Sequence, residues 1–239
     1  MPPKGKPERV LLKLSGSALS GTGGDPFDQR AIAYIASELL DAQATGVQIA
    51  VVIGGGNILR GARFCPDGPG RLRADYAGMV ATLVNALVLR QALEDAGIAV
   101  SHYGAFAVPR MADAFQPERC VGDLREGKLV LLAGGTGNPL FTTDTAAALR
   151  AVELGAGLVL KATRVDGVYS ADPETTTDAE LIDSISCAEV LERRLGVMDL
   201  TAVSFCLQHG LSARVFNYAV KGNIRRAVTG EPVGTLMEG

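Results

Sequence analysis

The chain has 239 residues, 47% of them hydrophobic and 21% charged, with a formal net charge of -3. That composition can build a sizeable core, and its slightly acidic balance excludes a general nucleic-acid binder, which would be basic. Trp is absent and aromatics make up only 5%, which removes the stacking platforms of single-strand binders; four cysteines and two histidines at no metal-ligand spacing argue against a zinc site or a disulfide framework.

From the N-terminus, Met1 to Arg9 is polar and rich in Pro and Lys, with no apolar signal core behind it. Short apolar runs then alternate with longer helical patterns. Val10–Leu14, Val47–Ile53, Ile98–His102, Leu129–Ala133 and Leu158–Lys161 read as buried strands, and their apolar continuity suits a parallel sheet covered on both faces. Helical stretches run between them over 28–44, 75–96, 118–126 and 143–154. Tyr76–Leu89 is apolar and uncharged but too short to span a bilayer, so a soluble, cytoplasmic protein with no membrane contact is expected. Val165–Ser170 reads as a strand around the Asp166-Gly167 turn signal, and Asp172-Pro173 opens a polar, mobile loop reaching Glu180. Helices follow at Ser186–Leu195 and Asp199–His209, with Ser186 and Asp199 as N-caps, and then strands at Ala213–Asn217 and Gly234–Met237. The alternation predicts an α/β fold, a mostly parallel sheet between helical layers, in one domain with two lobes around a cleft.

Four loops follow predicted strands and should open at the carboxyl edge of the sheet, where such proteins bind ligands. They are Lys13-Leu14-Ser15-Gly16-Ser17; Gly54-Gly55-Gly56-Asn57, with Arg60 just after; Gly134-Gly135-Thr136-Gly137-Asn138-Pro139, followed by Phe141-Thr142-Thr143-Asp144; and Lys161-Ala162-Thr163-Arg164-Val165-Asp166-Gly167. A single Gly-rich turn often does no more than reverse the chain. Several on one edge, each beside Lys, Arg or Thr, suit a polyphosphate: bare N–H groups form anion nests and the following helices add favourable dipoles. The P-loop, the dinucleotide fingerprint and the protein-kinase signature set are absent. Anion sites side by side leave room for a donor and an acceptor together, which points to transfer between them.

These blocks, together with Leu11-Leu12-Lys13-Leu14-Ser15-Gly16, Val168-Tyr169 and Val197-Met198-Asp199-Leu200, resemble the amino-acid kinase family and, within it, the bacterial UMP kinases. Thr136-Gly137-Asn138-Pro139-Leu140-Phe141-Thr142-Thr143-Asp144 is the block that resembles UMP kinases most specifically. The resemblance implies the three-layer amino-acid kinase sandwich, ATP-dependent conversion of UMP to UDP, Mg2+ carried with ATP, and a homohexamer. It implies one domain over 1–239, with an acceptor lobe over 1–155 and a donor lobe over 156–239. Lys13 and Arg60 would be catalytic. Lys13, Leu14, Ser15, Gly16, Gly56, Arg60, Thr163, Tyr169 and Asp172 would bind ATP. Gly55, Asp75, Thr136, Gly137, Asn138, Pro139, Leu140, Phe141, Thr142 and Thr143 would bind UMP, and no residue is expected to be a dedicated metal ligand.

Several of these residues carry plainer alternatives. Lys13 could snorkel from its strand, Arg60 could sit in a surface ion pair, and Tyr169 could be core packing. Asp75 could be a helix cap rather than a ribose ligand; Asp144 could cap a helix or orient water and magnesium; Asp199 looks like a cap. A phosphate acceptor is largely dianionic near neutral pH, its second pKa being about 6, so no general base is required. The family's GTP-activation surface is altered here: Arg90 and Lys128 match its basic positions, but Glu94 and Ser101 stand where His and Arg are common in some members. A carboxylate there repels a triphosphate, so weak or absent activation is expected. Other phosphotransferases on the same scaffold, or a non-catalytic nucleotide sensor, are the competing readings.

Overall fold

A computed structural model describes residues 5–21, 23–170, 176 and 178–239. Strand β1 (Arg9–Leu14) leads through a 3-10 turn at Gly16–Leu19 to α1 (Gln29–Gln43) and β2 (Gln48–Ile53). Short α2 (Gly61–Phe64) precedes the long α3 (Gly70–Asp95), followed by β3 (Val100–Gly104), β4 (Asp113–Ala114), α4 (Pro117–Arg125) and β5 (Leu129–Ala133). Next come α5 (Thr143–Leu154), β6 (Leu158–Thr163), β7 (Val168–Tyr169), β8 (Leu181–Ile182), β9 (Ser184–Ser186) and α6 (Cys187–Glu192). The chain then forms α7 (Leu200–His209), β10 (Ser212–Asn217), α8 (Asn223–Val228) and β11 (Thr235–Glu238).

Nine strands form one sheet in the order β4-β3-β5-β2-β1-β6-β10-β11-β9, and β10–β11 is its one antiparallel pair. Helices α1, α3 and α8 cover one face; α4, α5, α6 and α7 cover the other. The expected α/β sandwich around a mostly parallel sheet is therefore the fold observed. Side-chain alternation along β1 sends Val10, Leu12 and Leu14 into the first core layer and Leu11 into the second. By the same alternation Lys13 points to the second face, beneath α5.

Local chemistry sets the helix starts. Asp28, Ser186 and Asp199 accept from the backbone N–H groups of Ala31, Glu189 and Ala202 at 2.8, 3.1 and 2.9 Å, capping α1, α6 and α7. Three expectations shift. Helix α3 begins at Gly70, so Asp75 lies in its second turn and is not a cap. Ile98 N–H donates to Leu93 O at 2.9 Å, closing α3 and delaying β3 to Val100. Of Val165–Ser170 only Val168–Tyr169 pairs as strand, in an antiparallel hairpin with β8. The polar loop expected from Asp172 lies largely outside the described residues.

Among the described residues, α3 alone is long and apolar enough to cross a membrane. It packs on β3 and β5 and buries Thr82 and Asn85 at 3% and 0% exposure, which marks it as a core helix.

Candidate active site

Strands β5, β2, β1 and β6 are consecutive parallel neighbours, so their carboxyl ends align. The four loops read from the sequence consequently share one edge. Helix α1 departs from β1 on one face, whereas α5 enters β6 on the other, and the crevice opens where the winding reverses.

A cavity of about 360 Å³ lies over β1 and β2, lined by Lys13, Ser15, Gly16, Gly54 to Gly56, Arg60, Asp75 and the 135–143 loop. Two asparagines clamp its glycine loops. Asn85 Nδ2 donates to Gly54 O at 2.6 Å and to Asn57 Oδ1 at 2.7 Å, and Asn57 Nδ2 donates to Asn85 Oδ1 at 3.1 Å. A Cβ on Gly16 would sit 2.1 Å from Asn57 Oδ1, so only glycine lets the first loop approach the second. Across the cavity, Asp75 accepts from Arg71 Nε at 3.0 and 3.1 Å and from Leu140 N–H at 2.9 Å. That last bond pins the 135–143 loop at Leu140, which is held at φ 71°.

Beneath the cavity stands a buried charge cluster. Lys13 and Lys161 face each other in register on adjacent strands, and Asp144, in the first turn of α5, bridges them. Its carboxylate lies 2.8 Å from Lys13 Nζ and 2.7 Å from Lys161 Nζ. Burial works against ionising Asp144, yet the two ammonium groups outweigh it and hold the carboxyl below its ordinary range. Burial pushes the Lys161 ammonium below the ordinary lysine value, against the opposing pull of Asp144. The cap of α5 is Thr142, which accepts from Asp144 N–H at 3.0 Å. Asp199 accepts from Thr142 Oγ1 at 2.5 Å and Thr145 Oγ1 at 2.9 Å, tying α7 to that same turn.

A second cavity of about 650 Å³ opens over β6, lined by Lys161, Thr163, Val165, Gly167, Tyr169, Arg194 and Val197 among others. Its Lys161 also donates to Val197 O. Lys13 therefore belongs to one cavity and Lys161 to the other, with Asp144 joining them.

A profile of the Amino acid kinase family matches residues 8–217. The chain belongs to the amino acid kinase family. Among solved members, UMP kinase from Bacillus anthracis superposes with a TM-score of 0.93 at 34% identity, covering 98% of this chain and 96% of that one. UMP kinase from Ureaplasma parvum gives 0.89 at 29%, covering 97% and 99%. Uridylate kinase from Archaeoglobus fulgidus gives 0.70 at 30%, covering 95% and 99%.

In this amino acid kinase, Lys13, Ser15, Gly16, Gly55, Gly56, Arg60, Asp75, Thr136, Asn138, Phe141, Thr142 and Thr143 all line the first cavity. Thr163 and Tyr169 line the second. Gly137, Pro139 and Leu140 belong to the same loop but lie outside the cavity wall. Leu14 is fully buried in the core, so its side chain faces neither cavity. Arg60 is exposed, opens α2, and donates from Nε to Gly56 O at 3.3 Å; it forms no ion pair among the described residues. Asp172 lies outside the described residues. Sequence reasoning quoted Lys161 without assigning it a role and left Asp144 between two. The missing signal was strand register: a lysine in each of two neighbouring parallel strands requires a carboxylate between them if both are buried.

Proposed function

We propose that the chain is a UMP kinase, moving the γ-phosphoryl group of ATP onto the phosphate of UMP to give ADP and UDP. The observation that carries this reading is the Lys13–Asp144–Lys161 cluster, which joins two cavities of nucleotide size. The likeness to solved UMP kinases over nearly the whole chain supports the choice of acceptor.

The acceptor sits in the first cavity, between Asp75 and the 136–143 loop, and the donor base and ribose sit in the second, beside Thr163 and Tyr169. Donor phosphates reach across Gly16 and Gly56 toward Lys13 and Arg60. The attacking group is an oxygen of the UMP phosphate, which needs no base to activate it. Negative charge spreads over the transferring oxygens, and two ammonium groups preset by Asp144 meet it without reorganising. Arg60, exposed on the wall of the first cavity, supplies a further cation.

Mg2+ travels with ATP in this reading, and bound to the phosphates it neutralises their charge. No three carboxylate, Cys or His side chains converge among the described residues, and the Asp144 oxygens face ammonium groups, so phosphate and water oxygens fit as its main ligands. A homohexamer in the cytoplasm completes the proposal, with an acceptor lobe over 1–155 and a donor lobe over 156–239. The exposed stripe Leu72, Tyr76, Val80 and Val84 along α3 favours self-association.

A coupled assay of ADP release against UMP, CMP, dUMP and AMP tests the reading. UMP should be the preferred acceptor, and Lys13→Ala should lower turnover by about a hundredfold or more. Equal rates with AMP, or full activity in Lys13→Ala, would overturn it.

A further inference from the structure

The left-handed backbone region disfavours side chains other than glycine, and three residues besides glycine occupy it among the described residues: Arg110, Leu140 and Arg194. Leu140 is explained by its bond to Asp75. Arg194 has φ 50°, lies exposed just past α6, and lines the second cavity. Leu195 N–H donates to Val190 O at 3.1 Å and Arg194 N–H to Leu191 O at 3.3 Å, so Arg194 closes α6 at the left-handed position that glycine most often fills, and a long cation stands there instead. Its neighbour Arg193 is committed elsewhere, to Glu189 at 2.8 Å and to Ser170 O at 3.4 Å. Arg194 makes no ion pair or side-chain hydrogen bond among the described residues.

The segment that carries Arg194 is fixed to the charge cluster. Val197 O accepts from Lys161 Nζ, and Val197 N–H donates to Leu195 O at 2.8 Å, so residues 194–197 form a short wall ending on Lys161. Two cations thus sit on one wall of the donor cavity, Lys161 buried at the inner end and Arg194 exposed at the mouth. The remaining wall, Val165, Val168, Tyr169 and Val215, is largely apolar and suits a base.

We propose that Arg194, set on the cavity wall by the cap of α6, binds the donor nucleotide through its phosphate chain, as an outer cation beyond Lys161. This assignment rests on reading the second cavity as the donor site. A guanidinium suits a flexible polyphosphate because it offers a fork of donors and cannot lose its charge.

The test uses the full-length protein and the variants Arg194→Gly, Arg194→Ala and Arg194→Lys, measured by steady-state kinetics, by calorimetric binding of ATP and adenosine, and by thermal melting without nucleotide. Arg194→Ala should raise the KM for ATP about tenfold and weaken ATP binding equally, while adenosine binding and the KM for UMP change less than about twofold. Arg194→Lys should recover part of the loss. Arg194→Gly should lose ATP affinity while its melting temperature stays at or above the parent's, because glycine suits the left-handed helix end; a purely structural role predicts the same melting behaviour with ATP affinity unchanged. Unchanged ATP affinity in Arg194→Ala, or an equal loss for adenosine, would overturn the proposal while leaving the donor site in place. A parent protein that binds no ATP would instead sink the donor-site reading itself.

Discussion

Replacing Asp144 with Asn tests the charge cluster at its weakest point. Lys13 and Lys161 are register partners, and strands in a sheet lie about 4.8 Å apart, so their ammonium groups share one small space. The side chains of Lys13, Asp144 and Lys161 are only 13%, 11% and 16% exposed, which leaves water little room to screen them. At an effective dielectric of about 20, each contact with Asp144 is worth about 6 kcal/mol before desolvation, and desolvation cancels most of it. Removing the carboxylate forfeits both contacts and leaves the two lysines buried without compensation, so Asp144→Asn should lose about 3–5 kcal/mol in urea unfolding. ADP release should fall with it. Adding Lys161→Met removes one uncompensated cation, and this double variant should regain stability while remaining inactive. A single variant within about 1 kcal/mol of the parent would refute the reasoning. The carboxyl titrates below its ordinary value in the fold, so its contribution is present above about pH 4 and is lost as pH falls through the folded value.

His102 is buried, and burial, with Arg90 nearby, pushes its pKa down to about 4. The unfolded chain takes up that proton first, so stability should fall by about 2 kcal/mol between pH 7 and pH 5. His102→Leu should flatten this slope in urea titrations, and an unchanged slope would contradict the assignment. Asn85→Ala leaves Gly54 O and the Asn57 amide without their partner; it should cost about 1–3 kcal/mol and raise the KM for both nucleotides, as melting and kinetics would show. Arg90 pairs with Glu94 at 2.7 Å, so its charge is already partly answered on the surface. Titrating GTP into an initial-rate assay should change the rate by less than about twofold, and a large increase would reverse that expectation.

Periodicity made the sheet legible because its central strands are covered on both faces and read as continuous apolar runs; Leu129–Ala133 matches residue for residue. Shorter elements left weaker traces. Helix α8 has six residues and opens at Gly222 in the left-handed region, so it offered neither a capping side chain nor a long pattern. The first turn of α3, Gly70-Arg71-Leu72-Arg73, is uncapped and opens on a glycine followed by two arginines around one leucine, which hid its start. Around Thr163–Gly167 the chain turns because Thr163 Oγ1 accepts from Val165 N–H at 2.8 Å, a local bond that overrides the strand propensity of Val165. In the site, glycine loops and their cations were readable one by one. The partnership of Lys13, Asp144 and Lys161 was not, since it depends on which strands become neighbours and which face each lysine takes.

The most direct measurement is a crystal structure of the protein with UMP and a non-hydrolysable ATP analogue bound together. The account predicts UMP over Asp75 and the analogue beside Tyr169, with the γ-phosphorus about 3–3.5 Å from an acceptor oxygen and both Lys13 and Lys161 in contact with the phosphates between them. Nucleotides bound far apart, or either lysine turned away from that junction, would contradict it.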